Sequence, residues 1–248
     1  MSIFAIKLFN FSKILEMINM DKLLSLIAPS TCISCSVDGL PLCKRCYLAF
    51  NTKASEPRRC IFCNKHNQDG ICRMCNNQTG INQVVMLGEH EGHIKKLIWD
   101  LKFNSSRANI ICLADYLRLE LAKFDNSRVV LIPAPTSPKR ARARGYDQAK
   151  LLAKSISVAN NNWFYEDILI RTKDYDQIGL NKVDRKNKTK DLFVLDPTKR
   201  LNAEQAIAII VDDVVTTGST IRAASRAIYN LGFDSIVAAF LSHKSLET

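Results

Sequence analysis

The chain has 248 residues, of which 47% are hydrophobic and 24% are charged. This composition excludes a disordered or fibrous protein, because it supplies enough apolar side chains for one large domain or two modest ones. The net charge of +11 indicates a polyanionic partner. Residues 161–248 carry 12 basic and 12 acidic side chains, so the whole basic excess lies before residue 161.

The first 29 residues are apolar but are interrupted by charged side chains such as Lys7, Lys13 and Lys22. No uninterrupted run reaches the roughly 18 apolar residues that a membrane span needs, and no small-residue cleavage site follows. We therefore expect residues 1–29 to be an extension or a docking helix, with an interfacial membrane helix as the open alternative. The first interpretation predicts a cytoplasmic protein without a transmembrane span, and the second predicts membrane association.

Residues 30–80 contain eight of the nine cysteines, arranged as four CxxC pairs. A CxxC turn places two thiolates on one side of a metal ion, and two such turns complete the tetrahedral shell of zinc. Disulfides are disfavoured because no secretion signal precedes them. We predict two structural zinc sites, grouped either sequentially or in an interleaved way, with the ligands Cys32, Cys35, Cys43, Cys46, Cys60, Cys63, Cys72 and Cys75. The ninth cysteine, Cys112, is predicted to be a buried core thiol.

From residue 81 onward, strand-like and helix-like segments alternate. Apolar runs predict strands at 83–88, 128–132, 206–211 and 235–241. Apolar residues at three- and four-residue spacing predict helices at 93–103, 108–124, 146–159 and 220–231. The polar stretch 168–193 is expected to be irregular or to form short strands. Strands that alternate with helices predict an α/β domain over residues 81–248, with a mostly parallel sheet covered on both faces.

Two adjacent carboxylates, Asp212 and Asp213, directly follow the predicted strand at 206–211. The next turn, TTGST, opens a helix, and it offers backbone N–H groups and hydroxyls where the helix dipole favours a phosphate. A glycine in this turn permits close approach of the backbone. The two carboxylates can accept hydrogen bonds from a vicinal diol. The segment therefore predicts a ribose 5-phosphate site formed by Asp212, Asp213, Thr216, Thr217, Gly218, Ser219 and Thr220.

This segment closely resembles the phosphoribosyl pyrophosphate-binding motif of type I phosphoribosyltransferases. Further motifs follow in order: HIKKLIWDLKF at 93–103, PAP at 133–135 and RGYDQ at 144–148. Together with the cysteine-rich module, they resemble the ComF competence family over roughly residues 21–243. The resemblance implies a small double zinc ribbon at 30–80, followed by a parallel-sheet phosphoribosyltransferase-like domain at 81–248. Because members of that family tend to begin shortly before a segment like LLSLIAPSTCISC, it also implies a start at Met20.

A loop rich in Pro and Arg is predicted after the strand at 128–132, and it contains a basic cluster. It places four cations within six residues, with no acid among them: Lys139, Arg140, Arg142 and Arg144. In type I enzymes a loop at this place holds the pyrophosphate, and in open α/β sheets the carboxyl ends of the strands line the ligand crevice. We therefore expect this cluster to contact pyrophosphate or nucleic acid. A second basic stretch at 182–190 fits a ligand hood or a solvated face equally well.

Two functions are expected. The resemblance implies a protein that binds phosphoribosyl pyrophosphate and handles single-stranded DNA in the cytoplasm during natural transformation, with the DNA-uptake machinery at the inner membrane as a further candidate partner. The basic excess suits single-stranded DNA, and bases can stack on aromatic rings near the cations, unless those rings belong to the core: Tyr47, Phe50, Phe62, Trp99, Phe103 and Tyr146.

The alternative function is an active phosphoribosyltransferase. In that case Asp212 and Asp213 are the catalytic residues that orient the ribose, and Mg²⁺ accompanies the pyrophosphate. Ribose 5-phosphate would pass to a nucleobase or an amine with release of pyrophosphate. The sequence shows no distinct acceptor site, so whether the chain is an enzyme stays open at this point.

Overall fold

A computed structural model describes residues 30–51, 59–67, 69–103, 107–172 and 192–244. The docking helix and the start predicted within residues 1–29, and the basic stretch 182–190, lie outside the described residues. Within the described part, no helix is long and apolar enough to cross a membrane. The chain divides into two compact units, Met1–Ala49 and Phe50–Thr248. The limits 30–80 and 81–248 stay a prediction.

The described residues form a series of short and long elements. In chain order these are β1 (Ser30–Thr31), β2 (Asp38–Gly39), α1 (Lys44–Asn51), α2 (Arg73–Thr79), β3 (Gln83–Glu89), α3 (Gly92–Phe103), α4 (Arg107–Glu120), β4 (Arg128–Pro133), α5 (Pro138–Arg144), α6 (Gln148–Ser157), β5 (Trp163–Tyr165), β6 (Leu169–Arg171), β7 (Phe193–Leu195), β8 (Ala206–Val215), α7 (Ser219–Ile228) and β9 (Ser235–His243). In the first unit, β1 and β2 pair antiparallel before α1.

A five-stranded parallel sheet with the order β3-β9-β8-β4-β5 forms the centre of the second unit. Its central strands are nearly continuous runs of Val, Ile and Ala, because both faces of the sheet are covered. The predicted parallel α/β fold is confirmed, and each predicted strand is present. Strand β5 was not predicted, since three residues are too few to show a period.

Helices α3, α4 and α6 pack on one face of the sheet. Helix α6 begins two residues later than predicted because the Asp147 side chain caps it, accepting the backbone N–H of Lys150. The segment after β4 was predicted as a loop, but residues 138–144 form helix α5. The Ser137 side chain accepts the backbone N–H of Arg140, and Pro138 occupies the first turn, where its missing N–H has no cost.

The opposite face of the sheet is covered by α7, by the antiparallel pair β6–β7 and by the second half of the cysteine-rich module. These parts share one apolar core with the sheet. That core contains Cys60 and Cys75 from the cysteine-rich module and Ile221 from α7, all of them buried. The second set of CxxC cysteines is therefore part of the core of the sheet unit.

Candidate phosphate site and metal centres

The eight CxxC cysteines form two clusters in sequence order, which decides between the two predicted groupings. One cluster is Cys32, Cys35, Cys43 and Cys46, the other is Cys60, Cys63, Cys72 and Cys75, and within each the Sγ atoms lie within 4.8 Å of one another. The Sγ atoms of Cys35 and Cys43 are 3.7 Å apart, and those of Cys63 and Cys72 are 3.6 Å apart. A regular tetrahedron with Zn–S bonds of about 2.3 Å has sulfur atoms about 3.8 Å apart. Each cluster thus fits one zinc ion.

Each cluster also contains a thiol that is readily ionised. Burial alone would raise the pKa of Cys32, but backbone N–H groups, first that of Cys43, lower it to about 6. The Cys43 N–H donates to the Cys32 Sγ at 3.3 Å. In the second cluster the backbone N–H of Cys75 lowers the pKa of Cys72 to about 7. Other thiols are shifted the opposite way, since the neighbouring Cys43 thiol raises the pKa of Cys46 to about 11 and burial raises the pKa of Cys75. Because the thiolate is the form that binds metal, Cys32 and Cys72 are the ligands ready to bind a cation near neutral pH.

The two carboxylates predicted to follow the strand at 206–211 and to bind the ribose lie within β8, near its carboxyl end, because β8 stays paired with β9 as far as Val215. Desolvation and the adjacent Asp213 carboxylate raise the pKa of Asp212 well above its ordinary value. Lys102 of α3 reaches this pair, and its Nζ is 3.3 Å from Asp213 Oδ2. Lys102 had no role among the sequence predictions, although it lies in the HIKKLIWDLKF motif. The site therefore combines an acid of raised pKa with an ion-paired carboxylate.

His90, which follows β3, lies within electrostatic range of the same residues and was also missed by the sequence predictions. Its Nδ1 is 2.8 Å from the Ser242 Oγ. Burial and the charge of Lys102 lower the pKa of His90, so the imidazole is neutral at neutral pH. A single histidine just after a strand gives no sequence signal for such a position. The carboxylates thus have one charged and one neutral basic neighbour.

The predicted phosphate loop connects β8 to α7 as a turn of polar side chains. Thr216, Thr217 and Ser219 are exposed, Thr220 is half-buried and Gly218 is buried. Gly218 has a φ of 69° at the N-cap of α7, a conformation that glycine adopts at little cost. Backbone N–H groups in the first turn of a helix have no partner within that helix. The loop therefore presents hydroxyls and N–H groups suited to a phosphate.

The basic cluster begins at the same edge of the sheet as the phosphate loop. Strands β4 and β8 are parallel neighbours, and the Ala134 N–H donates to the Val211 carbonyl at 2.8 Å, one residue before Asp212. Arg144 donates to Gln148 Oε1 at 2.7 Å. The other three predicted cations, Lys139, Arg140 and Arg142, are exposed. These three cations are accessible to an anionic ligand.

The aromatic residues considered for base stacking have different surroundings. Tyr47 is buried, and the Tyr146 hydroxyl donates to a backbone carbonyl of α3 at 2.6 Å. Phe62 packs against the phosphate loop. The side chains of Phe50 and Phe103 lie outside the described residues. Trp99 is 52% exposed, so it offers a ring surface to a partner.

Comparison with known proteins places the chain near two competence proteins, although no family model matches it. It is 30% identical over 168 residues to competence protein F of Haemophilus influenzae, an alignment that covers 62% of this chain and 70% of that protein. It is 26% identical over 194 residues to competence protein ComFC of Bacillus subtilis, covering 73% of this chain and 75% of that protein.

Loss of the second cysteine cluster is expected to destabilise the sheet unit far more than loss of the first. The change Cys75→Ser removes a ligand buried in the sheet core, whereas the matched change Cys46→Ser lies in the other compact unit. Each variant should lose one of two zinc ions by native mass spectrometry. Both tryptophans, Trp99 and Trp163, lie in the sheet unit, so their fluorescence follows its unfolding.

We expect Cys75→Ser to lower the Tm of that transition by about 10 °C, because a structural metal contributes several kcal/mol of folding free energy. For Cys46→Ser the expected change is within about 2 °C. Equal decreases of Tm in the two variants would contradict this assignment.

Proposed function

The chain belongs to the ComF competence family, and on that premise we propose that it binds phosphoribosyl pyrophosphate and handles single-stranded DNA during natural transformation. The names of its relatives support a competence-related role. One observation carries the binding proposal. Two carboxylates, a loop of hydroxyls and the N-terminus of a ten-residue helix follow one another at a single edge of the sheet.

The ribose 5-phosphate portion of the ligand matches these groups in order. Its phosphate accepts hydrogen bonds from the N–H groups and hydroxyls of the loop, and its diol donates hydrogen bonds to the carboxylates of Asp212 and Asp213. The two oxygens of a carboxylate can accept about four hydrogen bonds, so Asp213 can bind a hydroxyl and keep its ion pair with Lys102. Asp212, with its raised pKa, can donate a hydrogen bond when protonated as well as accept one.

The pyrophosphate portion is assigned to the segment after β4. Three exposed cations there, Lys139, Arg140 and Arg142, supply the positive charge that a polyphosphate needs. The same segment is fixed from two sides, since Arg171 Nε donates to the Pro135 carbonyl at 3.1 Å and Thr136 Oγ1 donates to Asp147 Oδ1 at 3.2 Å. Mg²⁺ suits this chemistry, because it binds phosphate oxygens together with one or two carboxylates and neutralises their charge.

Single-stranded DNA is assigned to the surface formed by α3 and α5. Lys95 and Lys96 are exposed and lie four and three residues before the exposed Trp99, so all three share one face of α3. The hydrogen bond from the Tyr146 hydroxyl to the α3 backbone keeps the end of α5 beside this helix. Cations that track a backbone and an aromatic ring for stacking are the combination that binds single strands without sequence preference.

The double change Asp212→Asn and Asp213→Asn is expected to weaken binding of phosphoribosyl pyrophosphate with Mg²⁺ by at least about tenfold, because a hydrogen bond to a charged group contributes about 1.5–3 kcal/mol. Isothermal titration calorimetry measures this affinity. Asp234→Asn is the matched control, since Asp234 is exposed and precedes β9 at the opposite edge of the sheet. Two zinc ions should remain bound in both proteins.

Unchanged affinity in the double variant would exclude this site.

The same ligand also distinguishes a protein that only binds phosphoribosyl pyrophosphate from an enzyme that transfers its ribose 5-phosphate. With Mg²⁺ and a panel of nucleobases and amines, we expect pyrophosphate release at the background level, whereas release above background would identify an active transferase.

Removal of two cations from α5 is expected to weaken binding to single-stranded DNA. The test pair is Arg140→Ala with Arg142→Ala, and the control pair is Arg200→Ala with Arg226→Ala, all four side chains being exposed. Fluorescence anisotropy with a labelled oligothymidine at several salt concentrations gives the slope of log affinity against log salt. The test pair should reduce that slope by about 0.7 for each DNA phosphate that the protein no longer neutralises, and the control pair should leave it unchanged. Equal slopes for all three proteins would exclude α5 from the DNA surface.

A further inference from the structure

One face of α7 packs against the second cysteine-rich segment, residues 59–80, over the whole length of the helix. The contacts occur at Gly218, Arg222, Ser225 and Tyr229, whose spacing of four, three and four places them on one side of the helix. The Ser225 Oγ donates to a backbone carbonyl of that segment at 2.6 Å. The helix that begins at the phosphate loop is thus supported along its length by the module that holds the second metal cluster.

The contact at the start of the helix involves Phe62, which lies between the ligands Cys60 and Cys63. A Cβ atom placed on Gly218 would lie 2.5 Å from Phe62 Cε1 and 2.6 Å from Phe62 Cδ1. The ring therefore fills the space beside the backbone of the phosphate loop. On the helix, the Arg222 guanidinium carbon is 4.9 Å from the centre of the same ring, within range of a cation–π interaction.

The metal-binding turn itself does not require a phenylalanine at this position. The first cluster has the sequence Cys-Ile-Ser-Cys where the second has Cys-Ile-Phe-Cys, so Ser34 is the counterpart of Phe62. The two turns have the same geometry. The Ser36 N–H donates to the Cys32 carbonyl at 2.8 Å, and the Asn64 N–H donates to the Cys60 carbonyl at 2.9 Å. Ser36 and Asn64 both have a φ of 59°. Metal binding therefore does not require the ring of Phe62, which packs against the apolar core and contacts Gly218 and Arg222.

We propose that Phe62 is a positioning residue for the phosphate loop and that it couples metal binding at the second cluster to phosphate binding at the loop. The four cysteines fix the turn, the turn fixes the ring, and the ring and Arg222 hold the loop in the conformation that presents its N–H groups. This inference rests on the proposed ribose 5-phosphate site. By linkage, phosphate binding must strengthen metal binding at the second cluster by the same factor.

The first test measures the affinity of the full chain for phosphoribosyl pyrophosphate with Mg²⁺ by calorimetry. Phe62→Ser, which gives the second turn the sequence of the first, should weaken binding by about tenfold, within the usual range of coupling between sites. The matched change in the first cluster, Ser34→Ala, should leave the affinity unchanged. Phe62→Leu keeps an apolar side chain beside Gly218 and should restore binding to within about threefold of the original protein.

The second test measures zinc affinity by competition with a chromogenic chelator, with and without the same ligand. In the original protein, the ligand should strengthen the retention of one of the two zinc ions and leave the other unchanged. Phe62→Ser should remove this difference, although it still binds two zinc ions. This measurement on the unsubstituted protein decides the question even if Phe62→Ser fails to fold.

The outcomes separate the inference from the function on which it rests. Failure of the original protein to bind phosphoribosyl pyrophosphate would overturn the proposed site and the coupling together. Normal binding by the original protein, with equal affinity in Phe62→Ser or with no ligand effect on either zinc ion, would overturn the coupling alone.

Discussion

The parallel pairing of β4 with β8 is the constraint on which the candidate site depends. Parallel neighbours end at the same edge of a sheet, so the segment that follows β4 and the loop that follows β8 leave the sheet side by side. The hydrogen bond from Ala134 to Val211 continues this pairing past the end of β4, up to the residue before Asp212. An acidic pair and a basic helix that are separated by some 70 residues in the sequence are thereby brought to one edge.

The two cysteine clusters have the same turn geometry but lie in different structural surroundings. The first belongs to a small unit of its own, whereas the second shares its apolar core with the sheet and lies against α7. Its cysteines are therefore both candidate metal ligands and core residues. A metal bound at this place would stabilise the helix whose first turn belongs to the proposed phosphate loop. This gives a physical reason for a metal-binding module to accompany the proposed ribose 5-phosphate site.

Local patterns predicted much of this architecture. The apolar runs at 128–132 and 206–211 and the CxxC pairs each depend on neighbouring residues, and they have the predicted place in the structure. The acidic pair was expected to follow its strand, but β8 continues to Val215 and includes both carboxylates, because its pairing with the distant strand β9 extends beyond them. The features that were missed depend on contacts between distant residues. Lys102 meets Asp213 across 111 positions, and Phe62 meets Gly218 across 156. A periodic pattern along the sequence cannot indicate contacts between residues so far apart. Helix α5 was missed for a local reason, because a segment rich in Pro and Arg was expected to be a loop, whereas Ser137 and Pro138 start a helix there.

Hydrogen exchange with mass spectrometry tests the central claim most directly, because it follows the phosphate loop and the metal-binding turn in the same experiment. On addition of ribose 5-phosphate with Mg²⁺, slower exchange is predicted for peptides that contain residues 216–220 and for those that contain residues 61–63. Peptides that contain residues 32–36 should exchange as before. Unchanged exchange at residues 216–220 under saturating ligand would contradict the account.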